Sequence, residues 1–156
     1  DTGQDQRFAG REASANLVMY DLHAQLEYRG LHLRGLFAQG HLSDADIVTA
    51  AVSSANRPVP ARIWGAYGEI AYDLLPLLFP GTRQSLSPFL RYERVNTQEE
   101  VPAGFNADES KDIDVLNIGV SYKPIPSVVI KLDYRELDAR RGKIADELNA
   151  GFGFAF

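Results

Sequence analysis

Val18-Met19-Tyr20-Asp21-Leu22-His23-Ala24-Gln25-Leu26-Glu27-Tyr28 is the stretch that decides the fold. Successive side chains of an extended strand point to opposite faces. Val18, Tyr20, Leu22, Ala24, Leu26 and Tyr28 therefore share one face, and Asp21, His23, Gln25, Glu27 and Arg29 share the other. One face is apolar and the other densely polar. After Arg29-Gly30 the pattern resumes, with Leu31, Leu33, Gly35 and Phe37 against His32, Arg34 and Ala38, which predicts a tight hairpin.

The same period recurs five more times. Trp64, Ala66, Gly68, Ile70, Tyr72 and Leu74 oppose Gly65, Tyr67, Glu69, Ala71 and Asp73; Leu86, Pro88, Leu90 and Tyr92 oppose Ser85, Ser87, Phe89, Arg91 and Glu93. Leu116, Ile118, Val120 and Tyr122 oppose Asn117, Gly119, Ser121 and Lys123, and Val128, Ile130, Leu132 and Tyr134 oppose Val129, Lys131, Asp133 and Arg135. In the last run Leu148, Ala150, Phe152, Phe154 and Phe156 alternate with Glu147, Asn149, Gly151, Gly153 and Ala155. Pro88 interrupts its run and predicts a bulge or local irregularity there.

The connections follow a parity. Arg29-Gly30, Leu75 to Thr82 and Lys123 to Pro126 are short or medium, whereas Ser43 to Arg62 and Asn96 to Lys111 are long and polar, and Leu137 to Ala145 is intermediate. Short turns on one side and long loops on the other are expected of bacterial outer-membrane barrels. Within the first long loop, Ser43-Asp44-Ala45-Asp46 ahead of an apolar run predicts a helical insert over residues 43–54 with Ser43 as N-cap. Residues 1–16 lack usable periodicity and read as a loop or a cut end, leaving residues 17–156 as the β portion.

Composition narrows the choice. The net charge of -5 provides no basic patch, which argues against a nucleic-acid partner. Cysteine is absent, excluding disulfides and thiolate metal sites, and His23, His32 and His41 are too scattered for a metal cluster. No window is apolar enough for a membrane helix, but that leaves spanning strands open. The chain begins at Asp1 with no initiating Met and no leader, so a start inside a longer protein is expected.

Soluble strands usually run about 5 to 6 residues, whereas these runs are roughly 9 to 12, near the 9 to 11 tilted residues that a bilayer requires. Tyr20, Tyr28, Tyr72, Tyr92, Tyr122 and Tyr134 sit on the apolar face, where an interfacial girdle needs amphipathic rings. The polar face carries too many ionisable groups for a dry core. The expected fold class is an all-β antiparallel transmembrane barrel. Seven strands do not make an even number, so this is read as the carboxyl-terminal part of a porin-like barrel of about 16 to 18 strands.

Four stretches carry a resemblance: Met19 to Ala24, Gly30 to Arg34, Ser85-Leu86-Ser87-Pro88-Phe89-Leu90-Arg91-Tyr92-Glu93, and Tyr122 to Tyr134 with its Lys123-Pro124-Ile125-Pro126 turn. In these the chain resembles bacterial outer-membrane proteins of the phosphate-selective porin O/P type. The resemblance implies a passive channel in the outer membrane, not an enzyme, with no cofactor. Its partners would be outer-membrane lipid, small solutes or ions and the outer-membrane assembly machinery, and an oligomer of identical chains is compatible with it. The ending Gly151-Phe152-Gly153-Phe154-Ala155-Phe156 looks like a terminal assembly signal, carried by Phe152, Phe154 and Phe156.

On this reading Glu27, Arg29, Arg34, Glu69, Arg91, Glu93, Lys131, Asp133 and Arg135 line the pore. Leu22, Leu26, Ile70, Leu90, Ile118, Val120, Ile130 and Leu132 face lipid. Acidic and basic groups nearly balance on the polar face, so a phosphate preference, which needs a net positive constriction, is not supported. Two bland alternatives stand beside the channel: a structural or adhesive barrel without an open lumen, and a soluble β-domain that binds an apolar ligand. Glu27, His32, Asp21 and His23 share a face without a nearby serine in sequence, which disfavours a hydrolytic site. The acidic loop around Glu99, Glu100, Asp108, Glu109, Asp112 and Asp114 matches no calcium-ligand spacing and reads as solvated.

Overall fold

A computed structural model describes residues 6–8, 11–13, 15–52 and 57–155. Seven strands form one antiparallel sheet in strict chain order: β3 (Leu17–Tyr28), β4 (Leu31–Leu42), β5 (Arg62–Tyr72), β6 (Ser85–Glu100), β7 (Asp112–Ile125), β8 (Val128–Ala139) and β9 (Glu147–Phe154). Ahead of them β1 (Gln6–Phe8) and β2 (Arg11–Ala13) make a separate small hairpin, where the sequence suggested no regular structure. The seven strands do not close on themselves: β3 and β9 are the two edges.

The parity of the connections is present in the fold. Arg29-Gly30, residues 73–84 and Pro126-Ser127 lie at one end, and residues 43–52, 57–61, 101–111 and 140–146 at the other. Arg29 (φ 49°) and Gly30 (φ 84°) both take left-handed backbone, the conformation that lets a two-residue turn follow the right-handed twist of its strands. The medium connection contains a short helical turn, α2 (Leu75–Leu78), and the first long loop holds α1 (Ala45–Val52).

Several boundaries differ from expectation for local reasons. The Asp44 carbonyl accepts the first helical N–H groups, from Ile47 and Val48, so Asp44 and not Ser43 occupies the N-cap position. Ser43 Oγ accepts instead from the Asn16 N–H at 2.9 Å, tying the entry of β3 to the exit of β4. Residues 53–54 of the expected insert lie outside the described residues. β7 continues through Pro124 to Ile125 with a register irregularity after Tyr122, leaving only Pro126-Ser127 as the turn. No bulge forms at Pro88, which pairs with Val120 in unbroken register; the β5–β6 ladder ends beside it, at Ala71–Phe89. The irregularity of that ladder lies between Arg62 and Trp64.

Among the described residues no second layer covers either face of the sheet, yet the faces differ in exposure. Phe89, Val115, Asn117, Asp133 and Ala139, the buried residues of the strands, with the exception of Gly40, all share the polar face of β6, β7 and β8. Leu22, Ile118 and Phe152, on the apolar face, are 74%, 56% and 72% exposed. With nothing packed on top, this asymmetry means that the sheet curls toward its polar side.

Gly119 is the tightest point of that curl. A Cβ there would lie 2.5 Å from the Leu132 carbonyl oxygen, 2.6 Å from Asp133 Cβ and 2.7 Å from the Phe89 ring. Phe89 fills the space that the missing side chain leaves. Gly119→Ala is therefore expected to lower unfolding stability by about 1 to 3 kcal/mol, the usual cost of overpacking. Urea unfolding of the folded protein checks this, with Gly68→Ala as a control because a Cβ at Gly68 meets nothing within 4 Å.

Candidate functional site

The concave face is a charged trough. One cross-strand row runs Gln25, Arg34, Glu69, Arg91, Asn117, Arg135 and Glu147, so that cationic and anionic side chains alternate along most of its length. Glu69 lies between two guanidiniums, 3.7 Å from Arg34 and 3.8 Å from Arg91. Arg91 Nε is also 2.9 Å from Glu93, placed for ion pairing but out of line for a hydrogen bond. Its guanidinium stacks 3.7 Å above the Tyr67 ring. Asn117, next in the row, is buried with Oδ1 lacking a partner. Arg135 and Glu147 close the row at 3.0 Å.

The neighbouring row carries Glu27, His32, Ala71, Phe89, Gly119, Asp133 and Asn149. His32 Nδ1 is 3.3 Å from Glu27, which also accepts from Gln25 at 2.8 Å. Lys131 sits 3.5 Å from Asp133 and 4.4 Å from the centre of the Phe89 ring. Together these strands enclose a hollow of about 330 Å³ reached by Glu27, His32, Arg34, Glu69, Lys123 and Lys131. Ser85, Ser87 and Ser121 also line it, so the sheet brings hydroxyls near His32 that sequence distance had kept apart.

Of the side chains expected to line a pore, Glu27, Arg34, Glu69, Arg91, Glu93, Lys131, Asp133 and Arg135 share this face. Arg29 does not belong with them. It sits in the turn with its guanidinium 5.2 Å from the Tyr28 ring, whose strand position is on the apolar face. Leu22, Leu26, Ile70, Leu90, Ile118, Ile130 and Leu132 are exposed on that opposite face, and Val120 is half-buried among them. Phe152 and Phe154 extend it on β9, while Phe156 lies outside the described residues.

The apolar face is a belt with ruled borders. At the long-loop border Tyr20 donates to Gln39 at 2.6 Å, Tyr134 donates to Asp146 at 2.6 Å, and Tyr92 donates to Asp114. At the short-turn border Tyr122 donates to Gln84 at 3.0 Å. These rings lie on the belt while their hydroxyls reach polar groups beyond it. Tyr20, Phe37 and Trp64 form a contiguous aromatic cluster, with both centroid separations 6.3 Å.

The belt runs obliquely to the hydrogen-bond register. Tyr134 shares its row with Ile118, Leu90, Ile70, Leu33 and Leu26, and Leu26 is six residues along β3 from Tyr20. The other border descends the same way. Glu27 stands level with Asn149, so Tyr28 is level with Ala150, and Phe154 lies four residues further.

Beyond Tyr92 and Tyr134 the polarity of the faces inverts, a feature that the sequence runs missed because they ended there. Arg94, Asp112, Asp114 and Asp138 occupy the belt side, and Val95, Ile113, Val115, Leu137 and Ala139 the concave side. Arg94 grips Asp112 through two hydrogen bonds of 3.2 and 3.0 Å, and Arg140 approaches the same carboxylate at 3.3 Å. The acidic residues of the long loop are dispersed over separate partners. Glu99 accepts from Trp64 at 2.7 Å, Glu100 meets Arg62 at 2.9 Å, and the Asp108 carboxyl is held below its ordinary pKa by hydrogen bonds from Ser110. Among the described residues no group of three or more His, Asp or Glu side chains could hold a metal ion.

The chain is similar to an uncharacterized protein of Aquifex aeolicus (strain VF5), with 31% identity over 147 residues. That match covers 90% of this chain and 33% of the relative, so the chain spans about a third of the relative's length. No protein-family model and no solved structure matches the chain.

The Glu69 side chain is only 14% exposed, whereas Glu147 is 46% exposed. Solvent screening weakens the outer pair despite its shorter distance. A double-mutant cycle on Glu69 and Arg91 is expected to give a coupling of about 1 kcal/mol, and the cycle on Arg135 and Glu147 one of about 0.5 kcal/mol or less. Denaturant unfolding of the single and double alanine variants measures both. Equal couplings would mean that the trough offers no protection from solvent.

Proposed function

We propose that this chain is part of an outer-membrane β-barrel that forms a water-filled channel for passive diffusion of small solutes or ions. The oblique belt carries this reading. Its borders shift by roughly one residue per strand, about 3.3 Å against a strand spacing of about 4.8 Å, which corresponds to strands tilted by about 35° from a common axis. That tilt is what makes a level band on a closed barrel appear oblique in the hydrogen-bond register.

The height of the belt agrees. Tyr20 to Tyr28 extends about 27 Å along β3, or about 22 Å after correction for tilt, near the roughly 25 Å apolar band of outer-membrane barrels. Tyrosines with outward-reaching hydroxyls at both borders suit the headgroup layers, and the charge inversion beyond Tyr92 and Tyr134 suits strands that leave the membrane into water. The concave trough then faces the lumen. Its cations are largely paired with carboxylates, which supports a channel for small polar solutes or ions without a phosphate preference. Phe152 and Phe154 at the end of β9 supply apolar area that suits recognition by the assembly machinery.

Two measurements test the proposal. The full-length protein in planar bilayers is expected to show ohmic channels, and a protein that inserts without conducting would refute the channel. Ile130→Arg should cost about 2 to 4 kcal/mol of folding in lipid, the penalty for arginine near the midplane. Lys131→Gln, one residue away, should cost far less, limited to the loss of its pairing with Asp133, and shift ion preference toward cations. A tolerant Ile130 beside an intolerant Lys131 would reverse the faces.

A further inference from the structure

The connection between β5 and β6 is unusual for a turn that faces water. Leu74-Leu75-Pro76-Leu77-Leu78-Phe79-Pro80 contains no polar side chain, and Leu77, Leu78 and Phe79 are 65%, 65% and 63% exposed. Polar residues return only at Thr82, Arg83 and Gln84.

The backbone of this turn keeps its donors to itself. The Leu74 N–H donates to the Leu86 carbonyl at 2.9 Å, and that of Leu75 to Asp73 Oδ1 at 3.2 Å. The N–H groups of Leu77 and Leu78 donate to the Leu74 carbonyl, and that of Phe79 to the Leu75 carbonyl at 2.8 Å. Pro76 and Pro80 have no N–H to satisfy. Every donor from Leu74 to Pro80 is therefore bonded within the protein. Asp73 Oδ1 also accepts from Leu86 N–H at 3.0 Å, clamping the two ends of the turn together. Donors bonded internally lower the cost of placing this turn against a low-dielectric layer.

Register fixes the depth of the turn. Leu86, bonded to Leu74, shares a row with Tyr122, Ile130 and Phe152. Interpolated between Tyr28 on β3 and Phe154 on β9, the oblique border of the belt crosses β6 at about this row, so the apolar turn begins at the edge of the belt and extends it. The Gln84 side chain on its return limb meets the Tyr122 hydroxyl, which belongs to the belt side and not to the trough.

We infer that Leu74–Pro80 is a membrane anchor: its exposed Leu77, Leu78 and Phe79 insert into the boundary between phospholipid headgroups and acyl chains at the short-turn side. The occupant of this surface is lipid. The inference rests on the membrane reading above and adds a contact that fixes how far the sheet sinks into the bilayer. An amphipathic segment at that boundary gains by burying apolar area while its ends stay polar, and Thr82, Arg83 and Gln84 provide the polar end.

The test uses the full-length protein reconstituted into phosphatidylethanolamine–phosphatidylglycerol vesicles. This chain contains no cysteine, so Leu78→Cys introduces a single label site into it for an environment-sensitive fluorophore. Leu132→Cys on the belt and Arg141→Cys in a long loop are the references. The anchor predicts blue-shifted emission at position 78, quenching by brominated-chain lipids approaching that at 132, and iodide quenching well below that at 141. A label at 78 that behaves like 141 while 132 reports lipid would overturn the anchor and leave the barrel standing. Aqueous behaviour at both 78 and 132 would overturn both. Protection at 78 that ignores brominated lipid and grows with protein density would assign the surface to a second protein copy and overturn the lipid assignment. Leu77→Cys serves as the second variant if Leu78→Cys does not insert.

Discussion

A single hydrogen-bonded layer, without a partner layer among the described residues, is the constraint on which the rest of this structure depends. In a sandwich each sheet hides its apolar face against another, but here the ladder from β3 to β9 must hold by backbone pairing and by contacts within each face. The sheet curls toward its charged side, and the aliphatic side is left outward. Such an arrangement opposes the usual hydrophobic driving force in water and agrees with it in lipid. The charged side is tolerable because Glu69, Asp133 and Glu147 each find a cation.

Much of the fold was legible from side-chain period alone, since alternation depends on strand geometry and not on what solvates each face. All seven strands of the main sheet and the parity of their connections could be read in this way. Ends were harder. β6 and β7 run well past Glu93 and start well before Leu116, because Arg94-Val95-Asn96 and Asp112-Ile113-Asp114-Val115 still alternate, but with the opposite face apolar. A reading that tracks one apolar face loses the strand where that face becomes charged. The same residues mark where the polarity of the two faces inverts along a continuous ladder.

The trough was legible in composition and not in arrangement. Parity put Arg34, Glu69 and Arg91 on one face, but only register puts them side by side in one row. Phe89 and Tyr67 are aromatics among the charges of the polar face. In space they are the platforms for Lys131 and Arg91, so they fix where two cations stand. Arg29 stands apart from the row because strand parity does not extend through a left-handed turn.

The meander has an arithmetic consequence. Strands alternate in direction, so the first and last of seven point the same way. β3 and β9 cannot complete an antiparallel cylinder by meeting each other, nor can a second identical sheet, similarly oriented, bridge them without forming parallel seams. In the proposed barrel, an odd number of further strands between these edges would keep every seam antiparallel and give the even total of bacterial single-chain barrels. On that reading the two edges would be matched only by a complement of odd strand number, whatever its length.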